Sequence, residues 1–211
     1  MTAEDTTVFL VDDDHQFLKG LSRLLHSYGW DVQPFDSAEP FLQQLSPGMA
    51  GCLLLDVCLP GMDGMLVHER LRASGSFLSI VYLTGHSTVS IGVRAMKNGA
   101  YDFLEKPVDE ATLLSSLRGA VAESLSRRSG AALRTGIHNR LARLTQREKQ
   151  VMFQVIAGRL NKQIAYDLGI SLKTVKVHRS RMMEKMSVRS VAELVALCDD
   201  AGLRTPHPVA C

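Results

Sequence analysis

Long hydrophobic runs are missing from this 211-residue chain, and none approaches the length needed to span a bilayer. The start is also poor in the features of export. Met1 to Thr7 is short and polar, carries Glu4 and Asp5, and lacks the basic opening and apolar body of a secretion signal. A cytoplasmic protein without a membrane partner is therefore expected. Cysteine is scarce and dispersed: Cys52, Cys58, Cys198 and Cys211 form no CxxC metal site, and a reducing compartment leaves them as free thiols. No internal repeat is present. What remains is 45% hydrophobic, enough to fill a core, in a chain longer than one doubly wound domain usually needs.

The formal net charge of +2 hides an asymmetry. Residues 1–123 carry 8 Lys or Arg against 16 Asp or Glu, whereas residues 137–211 carry 13 against 6. Between them, residues 124–136 add three Arg and no acid. A basic C-terminal part suits contact with a polyanion, and an acidic N-terminal part suits regulation or metal binding.

Four short apolar runs in the first half each lead into polar groups suited to phosphoryl chemistry. Phe9-Leu10-Val11 precedes Asp12 and Asp13, Leu53-Leu54-Leu55 precedes Asp56, Ile80 to Leu83 precedes Thr84, and Phe103-Leu104 shortly precedes Lys106. Runs of this length, separated by stretches of helical period, predict buried parallel strands whose ends open on one rim. Five βα units result, with helices at 15–28, 37–45 (Ser37 as N-cap), about 64–74, about 87–98 and from Asp109. The rim would gather three carboxylates, a hydroxyl and an ammonium. Such carboxylates stay ionised together only around a cation, and an all-oxygen cluster suits Mg²⁺. Taken singly, Asp12 and Asp13 could be turn formers, Thr84 a helix cap and Lys106-Pro107 a solvated turn with or without a cis bond. Asp14, His15 and His86 are assigned no chemistry.

Asp12-Asp13, the stretch from Asp56 to Gly64, Leu83-Thr84-Gly85-His86 and Glu105-Lys106-Pro107 together resemble the receiver domain of a two-component response regulator, over roughly residues 6–123. The resemblance implies a flavodoxin-like sheet of order 2-1-3-4-5. It also implies Asp56 as phosphoacceptor, and Mg²⁺ held by Asp13, Asp56 and the Cys58 carbonyl, with Asp12 acting mainly through water. Thr84 and Lys106 would hold phosphoryl oxygens, and Phe103 would turn inward when Thr84 moves. Thr84-Gly85-His86, Ala95-Met96-Lys97-x-Gly99-Ala100 and Asp102 to Pro107 resemble FixJ-like receivers in particular. Cys58 departs from these, which often carry Arg two residues past the acceptor, and the resemblance implies that this bears on the lifetime of the phosphoryl group.

The C-terminal part reads as helices. Thr145 and Glu148 have capping-box spacing, Asn161 to Leu168 forms a short helix, Gly169 a turn, and Ser171 caps a helix running to about Met186. Ser190 and Glu193 repeat the box before a last helix, 191 to about 200. Two short helices joined at a glycine, the second basic, form a helix-turn-helix. A helical wheel centred on Val175 buries Met182 and Met186 and turns Lys173, Val177, Ser180 and Glu184 outward, with Lys176 and Arg181 on the borders. Val177 among cations suits a thymine methyl, Lys176 base acceptors, and Lys173 or Arg181 phosphate.

Leu144-Thr145-x-Arg147-Glu148, Asn161-Lys162-x-Ile164-Ala165 and Thr174 to His178 resemble the LuxR-type helix-turn-helix of the NarL and FixJ regulators, over about residues 140–202. In that group Lys176, Val177 and Ser180 fall where base edges are reached; Lys173, Thr174 and Arg181 complete the candidate DNA-binding set. The chain thus divides into a receiver at 1–123, a linker at 124–143 whose first residues, Ser124 to Arg128, could prolong the last receiver helix while Gly130 and Gly136 interrupt any continuous helix, and a DNA-binding domain at 144–211 whose tail, 205–211, is expected to be disordered. The resemblance implies a phosphorylation-activated transcriptional regulator, not an enzyme. Its partners would be a sensor histidine kinase, promoter double-stranded DNA, RNA polymerase and, through the helix 87–98, the strand 101–104 and the helix from 109, a second copy of itself. The rival readings are a Mg²⁺-dependent aspartyl-phosphate phosphohydrolase, for which no general acid or substrate cap is visible, and a phosphate sink.

Overall fold

The computed structural model of the protein describes residues 7–85 and 89–203. His86, Cys211 and the tail from 204 lie outside the described residues, as do the first two residues of the helix expected from 87. The chain divides into two compact units, one ending at Ser129 and the other beginning at Gly130.

The first unit alternates strand and helix: β1 (Thr7–Val11), α1 (His15–Ser27), β2 (Asp31–Phe35), α2 (Ala38–Gln44), β3 (Cys52–Asp56), α3 (Gly64–Ala73), β4 (Ser79–Thr84), α4 (Val89–Lys97), β5 (Asp102–Glu105) and α5 (Glu110–Ala142). The five strands form one parallel sheet in the order β2-β1-β3-β4-β5. β1, β3 and β4 are buried at every position, which is why they read as unbroken apolar runs. Two apolar layers cover the sheet. Phe9, Phe41, Leu53, Leu55 and Val67 belong to one, Leu10, Leu25, Leu54, Leu113 and Leu117 to the other.

Local signals explain most helix ends. Asp14 caps α1, its carboxylate accepting from the amides of Gln16 and Phe17 at 2.8 and 3.0 Å. Ser37 occupies the N-cap position of α2, but its hydroxyl donates to Asp36 Oδ1 and accepts no cap bond from the helix amides. The interruption expected at Gly130 and Gly136 is not found: α5 is helical through both. Each glycine costs about 1 kcal/mol relative to alanine. Burial of Ile137, with the partial burial of Leu125 and Leu141, offsets that cost. The residues expected to link the domains therefore contribute to both cores. Ser124 Oγ accepts the amide of Gly51 at 2.9 Å, and Arg140 donates to the Met186 carbonyl at 3.2 Å.

The second unit adds α6 (Gln146–Ile156), α7 (Asn161–Leu168), α8 (Leu172–Met186) and α9 (Val191–Asp200). Val151, Ile164, Val175, Met182, Met186 and Leu194 form its core. The capping box on α6 is complete: Thr145 Oγ1 accepts from the Glu148 amide, and Glu148 Oε2 accepts from the Thr145 amide. On α9 the Ser190 hydroxyl caps as expected, but the Glu193 carboxylate accepts from the Arg189 amide instead of that of Ser190.

Glu148 has a second task. Only 2% exposed, it accepts from Lys185 Nζ of α8 at 2.7 Å. Burial lifts its carboxyl, but the Lys185 ammonium and the Thr145 cap outweigh that and hold it below the ordinary range. A carboxyl whose folded value is depressed stabilises the fold above its unfolded value and loses that contribution as the pH falls through the folded one. Glu148→Gln should cost about 1–2 kcal/mol at neutral pH, since Lys185 is partly solvated. In urea denaturation the deficit should shrink as the pH drops below the unfolded value of 4.5.

Candidate functional site

The strand register brings the expected acidic residues together. Val11 pairs with Leu55 between β1 and β3, so Asp12 and Asp56 follow side by side. Asp56 pairs with Leu83, placing Thr84 one residue beyond it, and Thr84 pairs with Glu105, after which Lys106 turns over the site. The Lys106 amide donates to the Thr84 carbonyl at 2.8 Å, which anchors the turn. The Lys106-Pro107 peptide is cis.

Lys106 Nζ lies between two carboxylates, 2.5 Å from Asp12 Oδ2 and 2.7 Å from Asp56 Oδ2. The other oxygens are held by backbone: Asp12 Oδ1 accepts from the Asp14 amide and Asp56 Oδ1 from the Cys58 amide, each at 3.0 Å. Asp12 is 1% exposed and Asp56 8%, whereas Asp13 and the Cys58 side chain are exposed. Burial raises the Asp12 carboxyl above its ordinary range even against the Lys106 ammonium. Burial alone would lower Lys106, but its hydrogen bonds to Asp12 and Asp56 raise it, so the ammonium stays charged. The Phe17 ring, 4.2 Å away, adds a cation–π contact.

The loop after Asp56 depends on one glycine. A Cβ at Gly64 would press on the Asp56 carbonyl and stand 3.1 Å from Val57 Cα. With no side chain there, the Gly64 amide reaches the Val57 carbonyl at 3.1 Å, and Asp63 starts α3 by accepting from the Met65 amide at 2.9 Å. Thr84 is fully buried, and Phe103 is half-buried with its ring centroid 6.2 Å from that of Tyr82.

One carboxylate oxygen from each of Asp12, Asp13 and Asp56 lies within 4.8 Å of the others. Three carboxylates against one ammonium leave two formal negative charges, and the donors are all hard oxygens. That set of donors fits a hard divalent cation such as Mg²⁺.

In the second unit the wheel holds. Val175, Met182 and Met186 are fully buried, while Lys173, Lys176, Val177, Ser180 and Arg181 are exposed. Thr174 is half-buried, with its hydroxyl 2.8 Å from that of Ser171, the α8 cap. Two tertiary bonds escaped the sequence reading. Arg179 ties α8 to Asn161 of α7 at 2.8 Å, and Lys185 ties it to Glu148; neither pairing leaves a local pattern.

Residues 8–118 match the response regulator receiver domain, and residues 142–198 match the bacterial regulatory proteins of the luxR family. The chain is a response regulator with a LuxR-type DNA-binding domain. This response regulator is 40% identical over 200 residues to the transcriptional regulatory protein FixJ of Azorhizobium caulinodans, covering 95% of each chain. It is also similar to the response regulator StyR, at 43% identity and a TM-score of 0.84 over 92% of this chain and 98% of that one. Full-length FixJ from B. japonicum is 39% identical with a TM-score of 0.57, over 94% and 98% of the two chains. This response regulator is accordingly a transcription regulator.

Asp13→Ala should weaken Mg²⁺ binding by more than about tenfold, since it removes the exposed carboxylate of the cluster. Asp12→Ala should weaken it less. Calorimetric titration of the full chain with Mg²⁺ measures both.

Proposed function

We propose that Asp56 accepts a phosphoryl group from a sensor histidine kinase, and that the resulting aspartyl phosphate shifts the protein toward dimers that bind promoter double-stranded DNA. The observation that carries this reading is the Lys106 ammonium, 2.7 Å from the Asp56 carboxylate at the open end of a parallel sheet. A carboxylate is a weak nucleophile, but a loose phosphoryl transfer needs mainly charge stabilisation and alignment. An Asp56 oxygen forms the new bond to phosphorus while the phosphorus–nitrogen bond to the kinase histidine breaks. The electron pair stays on the imidazole, which takes a proton. Mg²⁺, when bound, would neutralise charge developing on the phosphoryl oxygens.

Once Asp56 is esterified, its negative charge moves out onto the phosphoryl group, and Lys106 follows it. The Thr84 hydroxyl donates to another phosphoryl oxygen, and Phe103 turns inward behind it. Phe103 lies against Gly92 of α4, so its movement bears on the α4–β5–α5 face, the proposed dimer surface. The equilibrium shifts because the dimer is favoured by the phosphorylated receiver.

Output falls to α8. Lys176, Val177 and Ser180 read base edges in the major groove, and Lys173, Thr174 and Arg181 sit toward the phosphates. Bound as a dimer in the cytoplasm, the protein would recruit RNA polymerase as an activator. No helix among the described residues is long and apolar enough to cross a membrane.

Asp56→Asn should keep the fold and lose acyl-phosphate labelling by a small phosphodonor with Mg²⁺. In DNA-binding isotherms it should lose the donor-dependent gain in affinity, which in the parent protein should fade as protein concentration rises above the dimerisation constant. Steady release of phosphate from small phosphate esters would favour the phosphohydrolase reading instead. Lys176→Ala should relax sequence preference, whereas Lys173→Ala should weaken binding to all sequences and reduce the salt slope by about one. Selection from random DNA and salt titration distinguish the two effects.

A further inference from the structure

At the end of the sheet away from Asp56, the C-terminal ends of α3 and α4 and the middle of α5 enclose a cavity of about 410 Å³. Its floor includes the buried His68, Leu71 and Leu78. Its rim carries three exposed cations, Arg72, Lys97 and Arg127, and no carboxylate lines it. That is unexpected in a receiver where acidic residues outnumber basic ones two to one.

The cations are lightly engaged. Arg72 donates one bond, to the Asn98 carbonyl at 3.3 Å. Arg127 stands 3.9 Å from Glu123 with both side chains half exposed, a weakly held and screened pair. Lys97 takes part in none of the ion pairs found among the described residues. Basic residues at the ends of α3 and α4 also offset the negative ends of those helices. That accounts for Arg72 and Lys97, but Arg127 lies far from either end of α5. Three cations around one opening exceed what a single carboxylate would balance and suit a dianionic group, which guanidinium binds well. The volume falls in the usual range for small-molecule sites, roughly 300–1,000 Å³.

We infer that this cavity binds a phosphorylated small molecule of mononucleotide size, with its phosphate on Arg72, Lys97 and Arg127 and its less polar part over Leu71 and Leu78. The site is separate from the Asp56 rim and requires no metal. His68 reports on it from the floor, where its Nδ1 lies 3.2 Å from the Tyr82 hydroxyl.

The test is nuclear magnetic resonance titration of the full chain without Mg²⁺ and with a chelator, using AMP, adenosine and inorganic phosphate as probes. AMP should move the His68 and Gly99 resonances saturably, with a dissociation constant below roughly 1 mM. Adenosine should leave them in place, and phosphate should move them with weaker affinity. Arg72→Gln and Lys97→Gln should each weaken the AMP response about tenfold or more. Lys19→Ala, which removes an exposed cation from α1, should leave it unchanged. The inference is overturned if neither AMP nor phosphate moves these resonances saturably, or if the response survives both receiver substitutions. Phosphate binding as tightly as AMP would overturn the assigned ligand size.

Discussion

The ammonium of Lys106, set between the carboxylates of Asp12 and Asp56, is the contact on which the receiver's rim depends. Two buried carboxylates side by side would repel each other and favour protonation. A single cation between them offsets that repulsion, and it arrives from β5, the edge strand beyond β4, through a turn anchored on Thr84. The site is therefore assembled from three strand ends at once, and its geometry is as firm as the sheet beneath it. Asp13, exposed beside this pair, leaves the cluster with surplus negative charge facing solvent.

The second unit uses the same device for a different purpose. Glu148, buried at the start of α6, binds both its own helix end and Lys185 of α8. Arg179 adds a second polar tie, from α8 to the first residue of α7. These bonds and the core residues Val175, Met182 and Met186 hold one side of α8, so the opposite side stays free of internal duties. An exposed Val177, 41% accessible between Lys176 and His178, is consistent with a surface kept for an outside partner.

Much of this was legible in the residues because burial on both faces of a sheet leaves a signal that needs no partner to be read. Leu53 to Leu55 ends in Asp56, Phe9 to Val11 in Asp12, and the parallel strand reading places both at one rim. The wheel on α8 works for the same reason, since a helix records its buried side every three or four residues. What escaped were choices decided by contacts that no periodic pattern records. Ser37 turned to Asp36, the helix ran through Gly130 and Gly136, and Glu148 found Lys185 thirty-seven residues on. The cationic cavity is of this kind too, because Arg72, Lys97 and Arg127 meet only once the chain has folded.

Cys58 and Gly64, in the loop after Asp56, are under opposite constraints. Any side chain at 64 would strike the backbone of Asp56 and Val57, so that position is closed to variation. At 58 the amide is committed, through its bond to Asp56 Oδ1, while the side chain is exposed. Exchanging the side chain at 58 therefore leaves that amide bond and the sheet beneath it in place. The two positions divide the labour of the loop, one fixing its path and the other leaving the solvent side of Asp56 open to change on its own.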